Sequence, residues 1–402
     1  MAVWDGGGNA GPELDVARRL VERGHVVDVL GDPTLAATAA AAGCSFSPWS
    51  RAPHRMTSDI SDDYVRDWEA EDTTDTVRRL RDRVMGGPAA AFAADTAAAM
   101  ETVRPDAVLA DAALLGAVMA AQAAGIPVAA INPNFWVLPT PGTGDKAVLR
   151  YINRVVDGGL PDLNSAREGC GLPPLTSFYD QVLGADKILV LSSETVDPAS
   201  AFVPDNVRYV GPVLRDPIWT APWSSPWPDG EGDPLVLVGF SSTFQDQGAL
   251  LQRVIDALAG MEVRGAVSVG PTLNPGDFAA ADNVVVVQTL PHSVILKDAS
   301  VAVSHCGHGT AMKSLAAGVP LVCIPMGRDQ DITAERVVEH GAGVRLSTTA
   351  SSDEIRGAIT EVLHDGDYRA NAERLASVLA TEHDPMDAVL ELEDLVGLTA
   401  QA

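Results

Sequence analysis

His305-Cys306-Gly307-His308-Gly309-Thr310 follows Ser304 without a break, and an acid–amide pair, Asp329-Gln330, comes one strand later. Two glycines in such a turn let backbone approach a ligand closely. His305 and Thr310 add side-chain donors. A turn that opens a helix after a parallel strand also offers free N–H groups and the positive end of the helix dipole, and both suit an anion. An acid–amide pair suits sugar hydroxyls better than phosphate. These residues can therefore hold a phosphorylated, polyhydroxylated ligand across neighbouring loops. The plainer reading is a strand–helix turn with one capping histidine.

That chemistry needs a strand before the turn and a helix after it. Val301 to Val303 is an apolar run of the buried-strand kind. Ala311 to Ala317 suits a helix, which Gly318 and Pro320 stop. Leu321 to Ile324 is the next strand, ended by Pro325. Leu235 to Gly239 is another, with Ser241-Ser242-Thr243 at its carboxyl end, either as diphosphate donors or as plain caps. Val263 to Val269, Val284 to Val287 and Val344 to Leu346 complete the strands of the second half. Gln288 to His292 is a loop.

In the first half, Met1 to Trp4 reads as a very short strand. A glycine turn from Asp5 to Pro12, a helix from Glu13 to Arg23 and a strand from Val26 to Leu30 follow. This unit is Rossmann-like, although no clean GxGxxG is present. The short lead-in points to a true start a few residues upstream. Pro105 to Leu109 is a strand, with Asp111 just past its carboxyl end, the edge where open α/β sheets hold ligands. Ala112 to Ala124 is a helix, and Val128 to Ile131 and Ile188 to Leu191 are strands. Phe135 and Trp136, in a proline-containing loop, either wall an apolar acceptor or simply pack. Pro48 to Pro88, acidic from Asp59 to Asp75, is either an acceptor-side flap or a solvated loop and helix.

The stretch from Val301 to Gln330 resembles the donor-site signature of the family 1 nucleotide-sugar glycosyltransferases, the bacterial macrolide and natural-product types above all. That family carries H-[CG]-G-x-[GN]-[ST], then G-x-P, a proline and an acid–glutamine pair. Here these are His305 to Thr310, Gly318-Val319-Pro320, Pro325 and Asp329-Gln330. The resemblance implies the GT-B fold: α/β, with two Rossmann-like parallel-sheet domains facing a cleft. It implies inverting, metal-independent sugar transfer from a nucleoside-diphosphate sugar to a small apolar acceptor of the secondary-metabolite kind. The nucleotide-sugar is a co-substrate, and no cofactor is implied. On this resemblance Ser242, Thr243, His292, His305, Gly307, His308, Gly309, Thr310, Asp329 and Gln330 bind the donor. Phe135 and Trp136 line the acceptor side, and Asp111 and Asn9 hold the catalytic positions.

Two positions depart from the family. Asn9 stands where the family has its base histidine, and an amide cannot serve as a general base. Asp111 can take the proton directly or through a water, His54 can approach from the flap, or an acceptor that is already ionised needs no base. Lys313 stands where the family has a glutamate that binds ribose hydroxyls; it either pairs with phosphate or faces solvent. These departures raise an alternative, a catalytically silent auxiliary protein that binds a nucleotide or a partner transferase.

A chain of 402 residues exceeds the ~250–300 at which single cores split. The expected division is an N-terminal acceptor-binding domain over 1–214, a linker over 215–234, a nucleotide-sugar domain over 235–385 and a terminal helix in 386–402 that crosses back to the first domain. A formal net charge of −26 opposes binding to nucleic acid or to an anionic membrane surface. Cys44, Cys170, Cys306 and Cys323 show no zinc spacing and fit free thiols in the cytoplasm. No basic-plus-apolar leader opens the sequence, and no apolar run is long enough to span a bilayer.

Overall fold

The computed structural model describes residues 1–135, 154–198, 203–227 and 232–398. The chain divides into two compact units, Met1–Gly211 with Asp384–Ala402, and Pro212–His383.

In the first unit β1 (Asp28–Gly31) pairs in parallel with β2 (Ser45–Pro48). A second parallel ladder runs β3 (Val108–Asp111), β4 (Val128–Asn132), β5 (Lys187–Val190) and β6 (Val207–Tyr209). Ala2 makes isolated parallel bridges to Leu30 and Ala110, so a single residue joins the two ladders. The strand expected from Met1 to Trp4 shrinks to that bridge. The glycine turn begins at once, with Gly6 N donating to Trp4 O at 3.2 Å. With Ala2 counted as the first strand, the chain steps outward through β1 to β2, then returns to β3 on the other side of Ala2. The carboxyl edge beside Ala2 and β3 is therefore a topological switch point, where open α/β sheets hold ligands.

Local chemistry sets the element ends. The helix Ala10–Glu22 starts three residues before the expected Glu13. The helix expected from Ala112 runs Leu115–Ala124 instead. Its delay has a cause: Asp111 carboxylate accepts Ala113 N at 2.7 Å and Asp111 O accepts Leu114 N at 2.9 Å, which spends the intervening residues on a tight turn. Helix Ala89–Val103 crosses Leu115–Ala124 so closely that a Cβ on Gly116 would clash with Ala89 O. Phe92 is fully buried there, its ring edge-on to Trp49 at 4.9 Å. Burying such a ring contributes about 2–3 kcal/mol. The helix Asp387–Leu395 belongs to this unit. Glu393 accepts Arg23 Nε at 2.7 Å and Nη2 at 3.0 Å and faces His25 Nε2 at 3.0 Å. Arg23 first, then His25, holds the Glu393 carboxyl down to about 2. His25 is thus a structural residue of the strand entry.

In the second unit six parallel strands lie in the order β12-β11-β10-β7-β8-β9. They are β7 (Leu235–Gly239), β8 (Arg264–Ser268), β9 (Val284–Val287), β10 (Ala299–Ser304), β11 (Leu321–Cys323) and β12 (Gly343–Arg345). This is the doubly wound 3-2-1-4-5-6 arrangement, and it reverses between β7 and β10. β7 is buried throughout, as a central parallel strand with both faces covered must be, and its residues are accordingly an unbroken apolar run. Among the described residues no helix is long and apolar enough to cross a membrane.

Candidate active site

The second unit gathers its polar groups at the switch point between β7 and β10. The helix His308–Ala316 follows β10 directly, with Gly307 as its N-cap. Cys306 takes a left-handed backbone, φ 63°, which turns the chain from strand into helix. Gly307 is required by packing, since a Cβ there would lie 2.7 Å from His305 Nε2. At Gly309 a Cβ would meet nothing within 4 Å, so the mouth of the turn is open. The N–H groups of a first helical turn lack helical acceptors and face outward there.

His305 is 7% exposed, stacks on Phe240 at 5.9 Å between ring centroids and is hydrogen-bonded to the backbone of Gly239. Burial, reinforced by the Arg328 charge, pushes it down to about 3, so the imidazole is neutral, and its single N–H is the donor in the bond to the Gly239 backbone. His308 is buried too and lowered to about 4 for the same first reason. On the β7 side Ser241 Oγ lies 3.1 Å from Thr243 Oγ1, and Arg328 Nη1 donates to Thr243 Oγ1 at 3.1 Å. Ser242 is half-buried between them in the chain. Arg328, itself left-handed at φ 57°, thus brings a permanent cation to the hydroxyl turn and to His305. The arrangement suits an anion: hydroxyls, an imidazole, a guanidinium and a helix N-terminus converge.

His292 sits beside this group. Its Nε2 is 3.4 Å from Ser268 Oγ and its Nδ1 3.5 Å from Thr310 Oγ1. Burial, then the Lys313 charge, lowers it to about 4. Lys313 does not face solvent; its Nζ pairs with Asp216 Oδ1 at 3.0 Å, and both side chains are largely covered. Gln330 is buried, with Oε1 accepting Met326 N at 2.8 Å and Nε2 donating to Gln245 Oε1 at 3.0 Å. Its remaining lone pair and N–H are what it has for a ligand. Burial raises the Asp329 carboxyl above its ordinary value, against the pull of its own backbone N–H and of Arg328.

The first unit has a second polar group at its own switch point. Asn9, on the turn after Ala2, uses both of its amide hydrogens and its oxygen: Nδ2 donates to Trp4 O at 3.0 Å and to Asp111 Oδ2 at 2.8 Å, and Oδ1 accepts Gly6 N at 3.0 Å. Asp111 is the last residue of β3, not one beyond it, and is 3% exposed. Asn9 is therefore the tether that holds Asp111. His54 pairs with Ala52 O at 2.8 Å through Nδ1, and its charge acts on Asp32. Phe135 is 2% exposed, and its carbonyl accepts Asn132 Nδ2 at 3.1 Å. Trp136 lies outside the described residues.

Three residues of these groups escape a sequence reading. Asp216 carries no local signal, because its partners Ser293 and Lys313 are distant in the chain. Arg328 is visible only as a charge beside Asp329. Glu13, buried beside Asp111, looks like an ordinary first-turn acid of a helix.

Comparisons with known proteins bear on the fold and the family. Residues 252–395 match the family model of the erythromycin biosynthesis protein CIII-like C-terminal domain. The chain is 27% identical to 4'-demethylrebeccamycin synthase of Lentzea aerocolonigenes, over 98% of this chain and 99% of that protein. It is 24% identical to demethyllactenocin mycarosyltransferase of Streptomyces fradiae, over 98% of this chain and 85% of that protein. The crystal structure of the kitacinnamycin glycosyltransferase shares its fold, with a TM-score of 0.80 at 24% identity, covering 98% of this chain and 97% of the other. Residues 252–395 thus match an erythromycin biosynthesis protein CIII-like C-terminal domain, and the chain as a whole is similar to natural-product glycosyltransferases and shares their GT-B fold.

Proposed function

We propose that this glycosyltransferase moves a sugar from a nucleoside-diphosphate sugar to a hydroxyl of a small, largely apolar acceptor, with inversion at the anomeric carbon and without a metal ion. The observation that carries the donor half is the convergence of His305, Thr243 and Arg328 at the β7–β10 switch point. Charge grows on the diphosphate as its bond to the sugar breaks. Preorganised donors and a guanidinium aimed at that charge lower the barrier more than they stabilise the bound ground state. Arg328 supplies there the positive charge that a metal ion supplies elsewhere. Asp329 and Gln330 orient the sugar.

Asp111 is the proton acceptor. The acceptor hydroxyl gives its proton to the Asp111 carboxylate, and the oxygen lone pair bonds the anomeric carbon. The carbon–oxygen bond to the diphosphate breaks, and its electron pair leaves with the nucleotide. Asn9 takes no proton and keeps Asp111 in place. The first unit serves the acceptor and the second the donor. Four free thiols support a reducing compartment, the cytoplasm. A silent auxiliary role is not favoured, because relatives matched along the whole chain bear synthase and transferase names.

Turnover of His305→Ala against a panel of donor sugars in EDTA tests this reading. Loss of transfer together with weaker nucleotide binding is the expected result. Unchanged turnover removes the donor assignment, and a product with the donor's own anomeric configuration removes inversion.

A further inference from the structure

Glu13 lies one helical turn after Asn9 and is fully buried. Neither of its carboxyl oxygens has a donor facing it. The charged group that acts on it is Asp111, whose carboxyl is within hydrogen-bonding reach. An ionised Glu13 would lack every compensating donor and confront a second carboxylate. Burial first, and the Asp111 charge second, push it well above the usual carboxyl range. A neutral carboxyl has one hydrogen to give, and Asp111 is the acceptor at hand.

The remaining charges on this helix and on the elements around it are engaged elsewhere. Asp15 pairs with Arg18 and Arg19, and Arg18 also with Glu22. Arg23 and His25 hold Glu393 of the helix Asp387–Leu395. Asp28 of β1 acts on the amino terminus. Asp5 accepts Thr34 Oγ1 and faces Arg55, and Asp32 accepts the N–H groups of Asp5 and Arg55.

We propose that Glu13 is a proton-holding positioning residue for Asp111: its neutral carboxyl donates the hydrogen bond that fixes Asp111, and its ionisation at higher pH makes Asp111 the stronger base. The inference rests on Asp111 being the proton acceptor of the reaction. Two carboxyls that share one proton titrate as a unit. When the shared proton leaves, Asp111 gains a second negative charge beside it and holds an incoming proton more tightly. Asn9 Nδ2 and Ala113 N are the other donors to Asp111.

The test is kcat against pH, from about 5 to about 9, for the wild type, Glu13→Gln, Glu13→Ala and Asp111→Asn. The wild-type rate rises on the alkaline side as the shared proton leaves. Glu13→Gln still donates to Asp111 but has no proton to lose, so that rise disappears. Glu13→Ala lacks both properties, and its kcat falls about tenfold or more with little change in KM. If Glu13→Ala fails to fold, Glu13→Gln alone decides. An infrared difference between the wild type and Glu13→Gln at neutral pH shows the band of a protonated carboxylic acid. A pH profile of Glu13→Gln that superimposes on the wild type overturns the proposal, as does absence of that band. Full activity in Asp111→Asn overturns the underlying assignment of the base. An inactive Asp111→Asn with a wild-type profile in Glu13→Gln overturns the role of Glu13 alone.

Discussion

Lys313 Nζ sits 3.0 Å from Asp216 Oδ1, and Asp216 also accepts the Ser293 backbone N–H at 3.1 Å and its hydroxyl at 2.5 Å. Burial opposes the Asp216 charge, but Lys313 and Ser293 together hold its carboxyl below the ordinary value. The lysine at the family's glutamate position is therefore committed to an ion pair. It ties the segment entering β7 to the helices His292–Ile295 and His308–Ala316.

Removing one member of that pair leaves the other covered and under-compensated. We expect Lys313→Met to cost about 1–3 kcal/mol, and Asp216→Asn combined with Lys313→Met to cost less than the two single changes added together. Urea unfolding of the four proteins measures this, and strict additivity would show the pair to be inert.

Acid should destabilise the second unit through its histidines. His305 and His308 have folded values of about 3 and 4, below the ordinary 6.5. Between those values the unfolded chain binds more protons than the native one, so stability rises with pH. Their contribution is complete above about 6.5 and is lost as pH falls through the window, at about 1.4 kcal/mol per pH unit for each histidine. Thermal melting from about pH 7 to about 5 checks it. His308→Phe should flatten the slope, whereas a slope identical to the wild type would place His308 outside the buried set.

Arg328 should matter for affinity more than for the fold. Arg328→Ala is expected to weaken nucleotide diphosphate binding about 10–100-fold, with Arg328→Lys recovering part of it, because an ammonium keeps the charge but loses the fork geometry. The salt dependence of binding should also fall in Arg328→Ala. Equal affinity in all three proteins would remove Arg328 from the anion site.

Asn9 should prove a tether. Asn9→Ala deprives Asp111 Oδ2 and Trp4 O of a donor and Gly6 N of an acceptor. We expect kcat to fall about tenfold or more with donor affinity unchanged. An Asn9→Ala enzyme that keeps its full rate would mean that Asp111 needs no support from that side.

What could be read from the sequence was local. The turn from Ser304 to Thr310 sits between an apolar run and a helix, so its strand–turn–helix form was visible, and the six strands of the second unit overlap the segments expected as strands, β7 and β9 among them as unbroken apolar runs. β2 left no such trace, because Ser45–Pro48 is exposed or half-buried and not apolar. The first strand was over-read, since only Ala2 bridges before the glycines turn the chain. Side-chain pairing was largely out of reach. Lys313 and Asp216 are 97 residues apart, and the meeting of Glu13 with Asp111 depends on which face of a helix meets a strand end 98 positions later. Asn9 was legible as a departure from the family, but its tethering role follows only from three hydrogen bonds that the fold creates.

The most direct test of the donor site is calorimetric titration of the purified protein, in EDTA, with UDP, TDP, GDP and ADP. One of the four should bind at micromolar strength or better, about −8 kcal/mol, and His305→Ala should weaken that binding at least about tenfold. Binding of none of the four, or undiminished binding to His305→Ala, would contradict a nucleotide site at the β7–β10 switch point.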